Sequence, residues 1–400
     1  MSAPFRGRTF ETGSICNALQ AAGVVAPHTK KPYSEAFLLG TSGGIAFAYL
    51  VFRYKGWPAH LTLLTRNTFH PFQTVVDRLG IIQETKETLD RARALANLQE
   101  ALENGSPVIV WADIFSLAHT NLPANPKIWA MMPMLVHGFD ERCFHVADRS
   151  KVSIAIRVEE LMDARERVKK DRFRMATLSA PDPKKLREAV AAGIRQCIQL
   201  FDGVGAPKNH AASFGFAGFQ EWAEMLLNQR NKQSWSRVFP DGAGLFQALA
   251  GRTAQPGVFI WIMTFGAAPD AERELFAEFL EEAAILLDRP KIEPIAKKFR
   301  DIAPIWRHLA EAALPDRIPI LRETRDLLLQ QRELFIEQGQ AANTTRGEIR
   351  AQLESHAKIA AAALDPSSED IRRLKQDLRD RVLQVHDAEK AAIAALSNLF

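Results

Sequence analysis

Cysteine is scarce in this chain. Cys16, Cys143 and Cys197 are the only three in 400 residues, too few and too scattered for a disulfide framework or a thiolate zinc site. A reducing cytoplasm is the expected compartment. A large excess of charge of one sign is also lacking. The net charge is +4, without the concentrated basic face that a nucleic-acid binder shows. The first thirty residues hold no long apolar stretch of the secretory-signal kind. Two uncharged runs, 36–52 and 253–269, approach the roughly 18 residues of a membrane span. Glycines and polar residues break both, so they read as buried core and no membrane contact is expected. No internal repeat is present. In Gly40-Thr41-Ser42-Gly43-Gly44 no lysine follows the glycines, which excludes a phosphate-binding G-x-x-x-x-G-K-[ST] loop. No cofactor and no metal are implied.

What is there is an ordinary globular composition, 47% hydrophobic and 24% charged, on a chain long enough for two or three domains. The stretch 32–49, PYSEAFLLGTSGGIAFAY, stands out. Its glycines permit positive φ or a close backbone approach. They fit a tight turn inside a core, or a backbone ledge beside a pocket in which Gly40, Ser42, Gly43 and Gly44 would touch substrate. Residues 14–22 read as a short helix with Ser14 as N-cap and Gly23 as its stop. Candidate strands follow at 45–52 and 60–65, and helices at 72–79 and 89–103. The run 107–112, PVIVWA, is continuously apolar, as expected for a strand in a sheet covered on both faces. Residues 113–126 read as a loop. Residues 129–139 and 143–147 flank Asp140-Glu141-Arg142 as a hairpin. A further strand is expected at 153–156 and a charged helix at 158–170.

From about 180 helical periodicity takes over. The division expected is 1–178 and 179–400, with a long-helix tail from about 292 and turns near Pro304, 315–319 and 365–367. Trp222, Trp235 and Trp261 fit core anchors of the helical half. Its amphipathic helices suit a partner enzyme or self-association.

The segments ETGSICNAL, YSEAFLLGTSGGIAFAYL, LVHGFDERCFHVADRS and VEELMDAR, in that order over roughly residues 11–175, resemble the N-terminal domain of butirosin biosynthesis protein H. The second half, with GFAGFQEWAEML and ELFAEFLEEAA, is similar to the helical domain commonly fused to it. The resemblance implies an α+β fold: a papain-like, cysteine-peptidase-type N-terminal domain with an antiparallel sheet, then a mostly α-helical C-terminal domain. It also implies transfer of an acyl group from a carrier protein to an amine.

Such chemistry uses a nucleophile at a helix N-terminus, a histidine base and an acid that orients the histidine. The family's nucleophile position falls on Ser14, with Cys16 two residues further along the same turn. The family's strand histidine has no counterpart, because 131–136 contain no histidine and Met132 stands at the matching place. His137 has the opposite strand parity to Met132. His70 and His119 lie in turns or loops from which a side chain can enter a cleft. Asp148 matches the family's acid.

Two functional readings stay open. The first is an acyl- or peptidyl-transferring protein of specialised metabolism with an atypical triad drawn from Ser14, Cys16, His137 and Asp148. It would act on a small-molecule amine or peptide, with an acyl-carrier protein or a peptide as acyl donor. The second is a catalytically degenerate scaffold of the same fold that holds a peptide or carrier arm for a partner enzyme.

Overall fold

The structure is a computed structural model that describes residues 4–123, 127–252 and 255–400. The end of the expected 113–126 loop and the start of the 253–269 run lie outside the described residues. The chain divides into two compact units. One comprises 1–42, 70–189 and 332–347, and the other 43–69, 190–331 and 348–400.

In chain order the elements begin with α1 (Glu11–Ala21), α2 (Glu35–Thr41), β1 (Ile45–Phe52), β2 (His60–Arg66) and α3 (Pro71–Leu79). Then come β3 (Gln83–Lys86), α4 (Arg91–Glu103), β4 (Val108–Asp113), β5 (Met131–Phe139), β6 (Cys143–Ala147), β7 (Ile154–Arg157), α5 (Val158–Glu166) and β8 (Met175–Leu178). The first unit is built on one six-stranded antiparallel sheet in the order β3-β8-β4-β5-β6-β7. Together with its helices it is an α+β unit. Val108, Val110 and Ala112 of β4 join Leu98 of α4 and Leu161 of α5 in one buried cluster. α1 packs against β5 and β4. The apolar run of β4 is thus explained by burial on both sides of the sheet. The hairpin at Asp140 forms as expected, its carboxylate accepting the N–H groups of Arg142 (2.8 Å) and Cys143 (2.9 Å).

The entry into α1 differs from the sequence expectation. Ser14 lies inside the first turn, and Phe10 is the residue before the helix. The cap is supplied by Thr9, whose Oγ1 accepts the Gly13 N–H at 3.2 Å. Behind it the Glu35 carboxylate, 6% exposed, accepts the N–H of Arg8 (2.6 Å), the N–H of Thr9 (3.1 Å) and the hydroxyls of Thr12 (3.2 Å) and Thr9. A buried carboxylate needs such donors. In satisfying it, the 8–12 segment is fixed ahead of α1.

The second unit is mostly helical. Its apolar centre includes the β1–β2 ribbon, whose Phe47 stacks on Phe219 at 3.6 Å. Tyr49 accepts the indole N–H of Trp235 at 3.0 Å. These contacts explain why 43–69 group with helical residues instead of with the sheet. Trp222 and Trp235 are fully buried, while Trp261 is half-buried. The Arg273–Glu389 ion pair is also fully buried, at 2.5 Å. Its cost in desolvation is offset by further bonds: Arg273 donates to Thr65 O (2.9 Å) and Ala46 O (3.3 Å), and Trp306 donates to Glu389 (2.8 Å). The turn expected near Pro304 is absent. Pro304 sits inside the helix Glu293–Ala313, where burial of Phe299, Ile302 and Trp306 outweighs the lost backbone bond. Among the described residues no helix is long and apolar enough to cross a membrane.

Gly43 and Gly44 adopt φ of +112° and +72°. A Cβ on Gly44 would meet the Phe276 ring at 2.7 Å and Cys197 Cβ at 3.3 Å. Gly44→Ala is accordingly expected to lose about 2 kcal/mol of stability from combined backbone strain and overpacking. Urea denaturation measures this, and an unchanged midpoint would contradict the packing account.

Candidate functional site

α1 carries both nucleophile candidates, and its packing separates them chemically. Cys16 is 1% exposed, and its Sγ donates to Tyr33 O at 3.4 Å. Burial, reinforced by the Glu35 charge and opposed by Arg6 and Arg8, pushes the thiol up to about 12. A thiol so placed holds almost no thiolate at neutral pH and is inert. Ser14 is also buried. Its hydroxyl donates to Glu11 O at 3.0 Å and its N–H to Phe10 O at 3.2 Å.

Asp148 follows β6 directly and is 2% exposed. Its Oδ2 lies 2.8 Å from Nε2 of His119, which is 3% exposed. Arg149 closes the other side, with Nε 2.8 Å from Oδ1 and Nη2 3.1 Å from Oδ2. Arg149 reaches its sequence neighbour by adopting φ +57°, a left-handed conformation uncommon for a side chain of this size. Burial works to raise the Asp148 carboxyl. The Arg149 charge and the hydrogen bonds from His119 and Arg149 outweigh it and hold the group well below the usual carboxylate range. An ionised carboxylate can only accept, so His119 Nε2 is the donor of this bond. His119 Nδ1 is buried and has no hydrogen-bond partner.

His119 comes from a short 3-10 turn, Ala118–Thr120, in the connection between β4 and β5. The turn is held locally by Thr120, whose hydroxyl is 2.8 Å from both Ile114 O and Leu117 O. The group reaches α1 through Arg149. Its guanidinium lies 4.0 Å over the ring of Phe10, and Phe10 O is the acceptor of the Ser14 N–H.

The other sequence candidates lie elsewhere. His137 sits at the register shift of the β5–β6 pairing, with Nε2 2.9 Å from Ser153 Oγ and its ring 4.9 Å from Phe5. Burial and the neighbouring His145 lower its pKa. It is not the partner of Asp148. Met132 pairs with Ala112 and shares the strand parity of Met134 and Val136, which lie in the core with α4 and α5 side chains. Gly40 is within α2, and Ser42 follows it with its hydroxyl on Leu39 O at 2.7 Å. Gly43 and Gly44 belong to the second unit, buried against Gln196, Asn67, Cys197 and Phe276. Close approach to protein side chains accounts for these glycines. Among the described residues no group of three or more His, Cys, Asp or Glu is placed to hold a metal.

Residues 10–149, from the residue before α1 to Arg149, match the family described as Butirosin biosynthesis protein H, N-terminal. The mostly helical second half of the chain lies beyond the match. No curated protein sequence matches it. The butirosin-type match ends on the Asp148–Arg149 pair, so it spans α1, the His119 turn and the acid together.

The Asp148 arrangement has a pH signature. The folded carboxyl titrates below its unfolded value of about 3.9. The stability it contributes is therefore complete above that value and is lost as pH falls toward the folded pKa. Asp148→Asn should cost about 2–3 kcal/mol at pH 7, with the gap to wild type narrowing below about pH 4. Urea midpoints measured from pH 7 downward test this, and a gap independent of pH would contradict it.

Proposed function

We propose that the protein transfers an acyl or peptidyl group through Ser14, with His119 as general base and Asp148 as the group that orients His119. The observation supporting this reading is the buried His119–Asp148 pair, whose second ring nitrogen, Nδ1, has no hydrogen-bond partner. A serine hydroxyl is nearly unreactive without a base, and the strand position where the family resemblance places one is Met132. In this reading His119, from the connection before β5, takes that role beside the acid that the sequence retains.

The steps balance without a cofactor. Ser14 Oγ attacks the acyl carbonyl as its proton moves to His119 Nδ1. The leaving group, a carrier-arm thiol or a peptide amine, takes that proton and departs, leaving an acyl-serine. An acceptor amine then attacks the ester and gives its proton to His119, which returns it to Ser14 Oγ. Asp148 stays ionised throughout and stabilises the transient imidazolium. The setting proposed is specialised metabolism in the cytoplasm, with a carrier protein or peptide as donor and a small amine as acceptor. Cys16 has no part, because its thiol is buried and protonated.

A second reading, a binding scaffold without catalysis, is favoured by one observation. The Ser14 hydroxyl and the Ser14 and Gly13 amides are all spent on neighbouring backbone or Thr9, so none of them is free to meet an oxyanion.

A fluorophosphonate probe separates the two readings. Wild type is expected to be labelled at Ser14, located by peptide mass spectrometry. Ser14→Ala should abolish the label, and His119→Ala should slow it by about 100-fold, the usual scale of a general base. An unlabelled Ser14, with activated thioesters equally unreactive, would leave the scaffold reading in its place.

A further inference from the structure

A short helical turn such as the one that carries His119 leaves most of its carbonyls to be met from outside; Ala118 O accepts the Asn121 N–H at 3.1 Å. Residues more than 200 positions downstream supply further donors. Arg346 Nη1 donates to His119 O at 2.8 Å and Nη2 to Thr120 O at 2.9 Å. Asn343 Nδ2 donates to Ala118 O at 3.2 Å. Arg346 is 6% exposed, and its guanidinium lies 4.6 Å over the ring of Phe335. That ring also lies 5.2 Å from the guanidinium carbon of Arg149, and Phe335 is part of the buried cluster of the sheet. The segment 332–347 is counted in the same compact unit as the sheet. Backbone ties confirm its seat there: Lys151 N–H donates to Ile336 O at 2.7 Å, and the Lys151 ammonium pairs with Glu337.

We propose that Arg346 is a positioning residue for His119: its fork fixes two successive carbonyls of the turn and so aims the imidazole at Asp148. The inference rests on the reading of His119 as the base. A planar guanidinium suits this task, since it delivers two parallel N–H groups at fixed spacing, whereas an ammonium delivers one point of attachment. Burial pulls the Arg346 pKa down to about 10, with Arg149 adding to the shift and Asp148 opposing it, so the group remains charged at neutral pH. The family-matched segment 10–149 therefore lacks one of the side chains that orient its own histidine. That side chain is supplied by the far end of the chain.

The test uses the full-length protein labelled with 15N-histidine. The chain has ten histidines, and His119→Gln assigns the His119 signals. Wild type should show His119 as a single tautomer protonated at Nε2. In Arg346→Gln the ring nitrogens should move toward tautomer-averaged shifts, and probe labelling at Ser14 should fall by about 100-fold, the scale of a small misplacement. Arg346→Lys, which keeps the charge and guards against loss of fold, should lie between. Lys151→Ala, which loosens the same segment without touching the His119 turn, should leave the His119 signals and the labelling unchanged. Retention of the single tautomer in Arg346→Gln overturns the proposal, as does its loss in Lys151→Ala. If wild type takes no label at all, the catalytic reading fails, while the imidazole signals still decide the role of Arg346.

Discussion

The carboxylate of Asp148 is the constraint on which the candidate site depends. A carboxylate this deeply buried is tolerated only when its lone pairs are met by donors and its charge by a cation. His119 and Arg149 meet both needs. The consequence for the imidazole is a fixed orientation, with Nε2 on the carboxylate and Nδ1 buried without a partner. The consequence for the backbone is the left-handed turn at Arg149, which brings that guanidinium both onto its neighbour's carboxylate and over Phe10. Left-handed strain in a residue of this size usually marks a place where the surroundings over-determine the chain, and here the surroundings are the acid, the histidine and the lead-in to α1.

A second buried acid prepares the other side. Glu35 draws in the donors of residues 8–12 and fixes the point at which α1 begins. Ser14 owes its place in the first turn to that ordering, and Cys16 owes its inertness partly to the same negative charge. The two acids thus do different chemical work on one helix. One sets where the Ser14 hydroxyl sits and raises the Cys16 thiol, and the other holds the His119 imidazole.

Strands β4 to β7 of the first unit's sheet were legible in the sequence, while the short edge partners β3 and β8 were not. The apolar run of β4 and the hairpin around Asp140 are local signals, each readable from neighbouring residues. The acid was legible too, since Asp148 follows its strand in a recognisable order. The proposed base, His119, was harder. Its trace in the sequence is a mismatch: a retained acid beside a strand with no histidine implies that the imidazole arrives from another segment, and the connection 114–130 holds His119. Nothing local marks which histidine turns inward, because the turn is stabilised by Thr120 and by carbonyl caps from a different part of the chain. Arg346 was not legible at all. A contact between residues 119 and 346 depends on the tertiary course of the helical half, to which periodicity is blind. Pro304 shows the same limit from the other direction, since burial of the residues around it overrode a strong local breaker.

The central claim is that His119, held by Asp148, serves Ser14 in place of the strand histidine. A crystal structure of the protein after reaction with an acylating or phosphonylating reagent tests it most directly. The account predicts an adduct on Ser14 Oγ, with His119 Nδ1 within about 3 Å of that oxygen or of the adduct and Nε2 still on Asp148. An adduct on another residue, or His119 turned away from a modified Ser14, would contradict it.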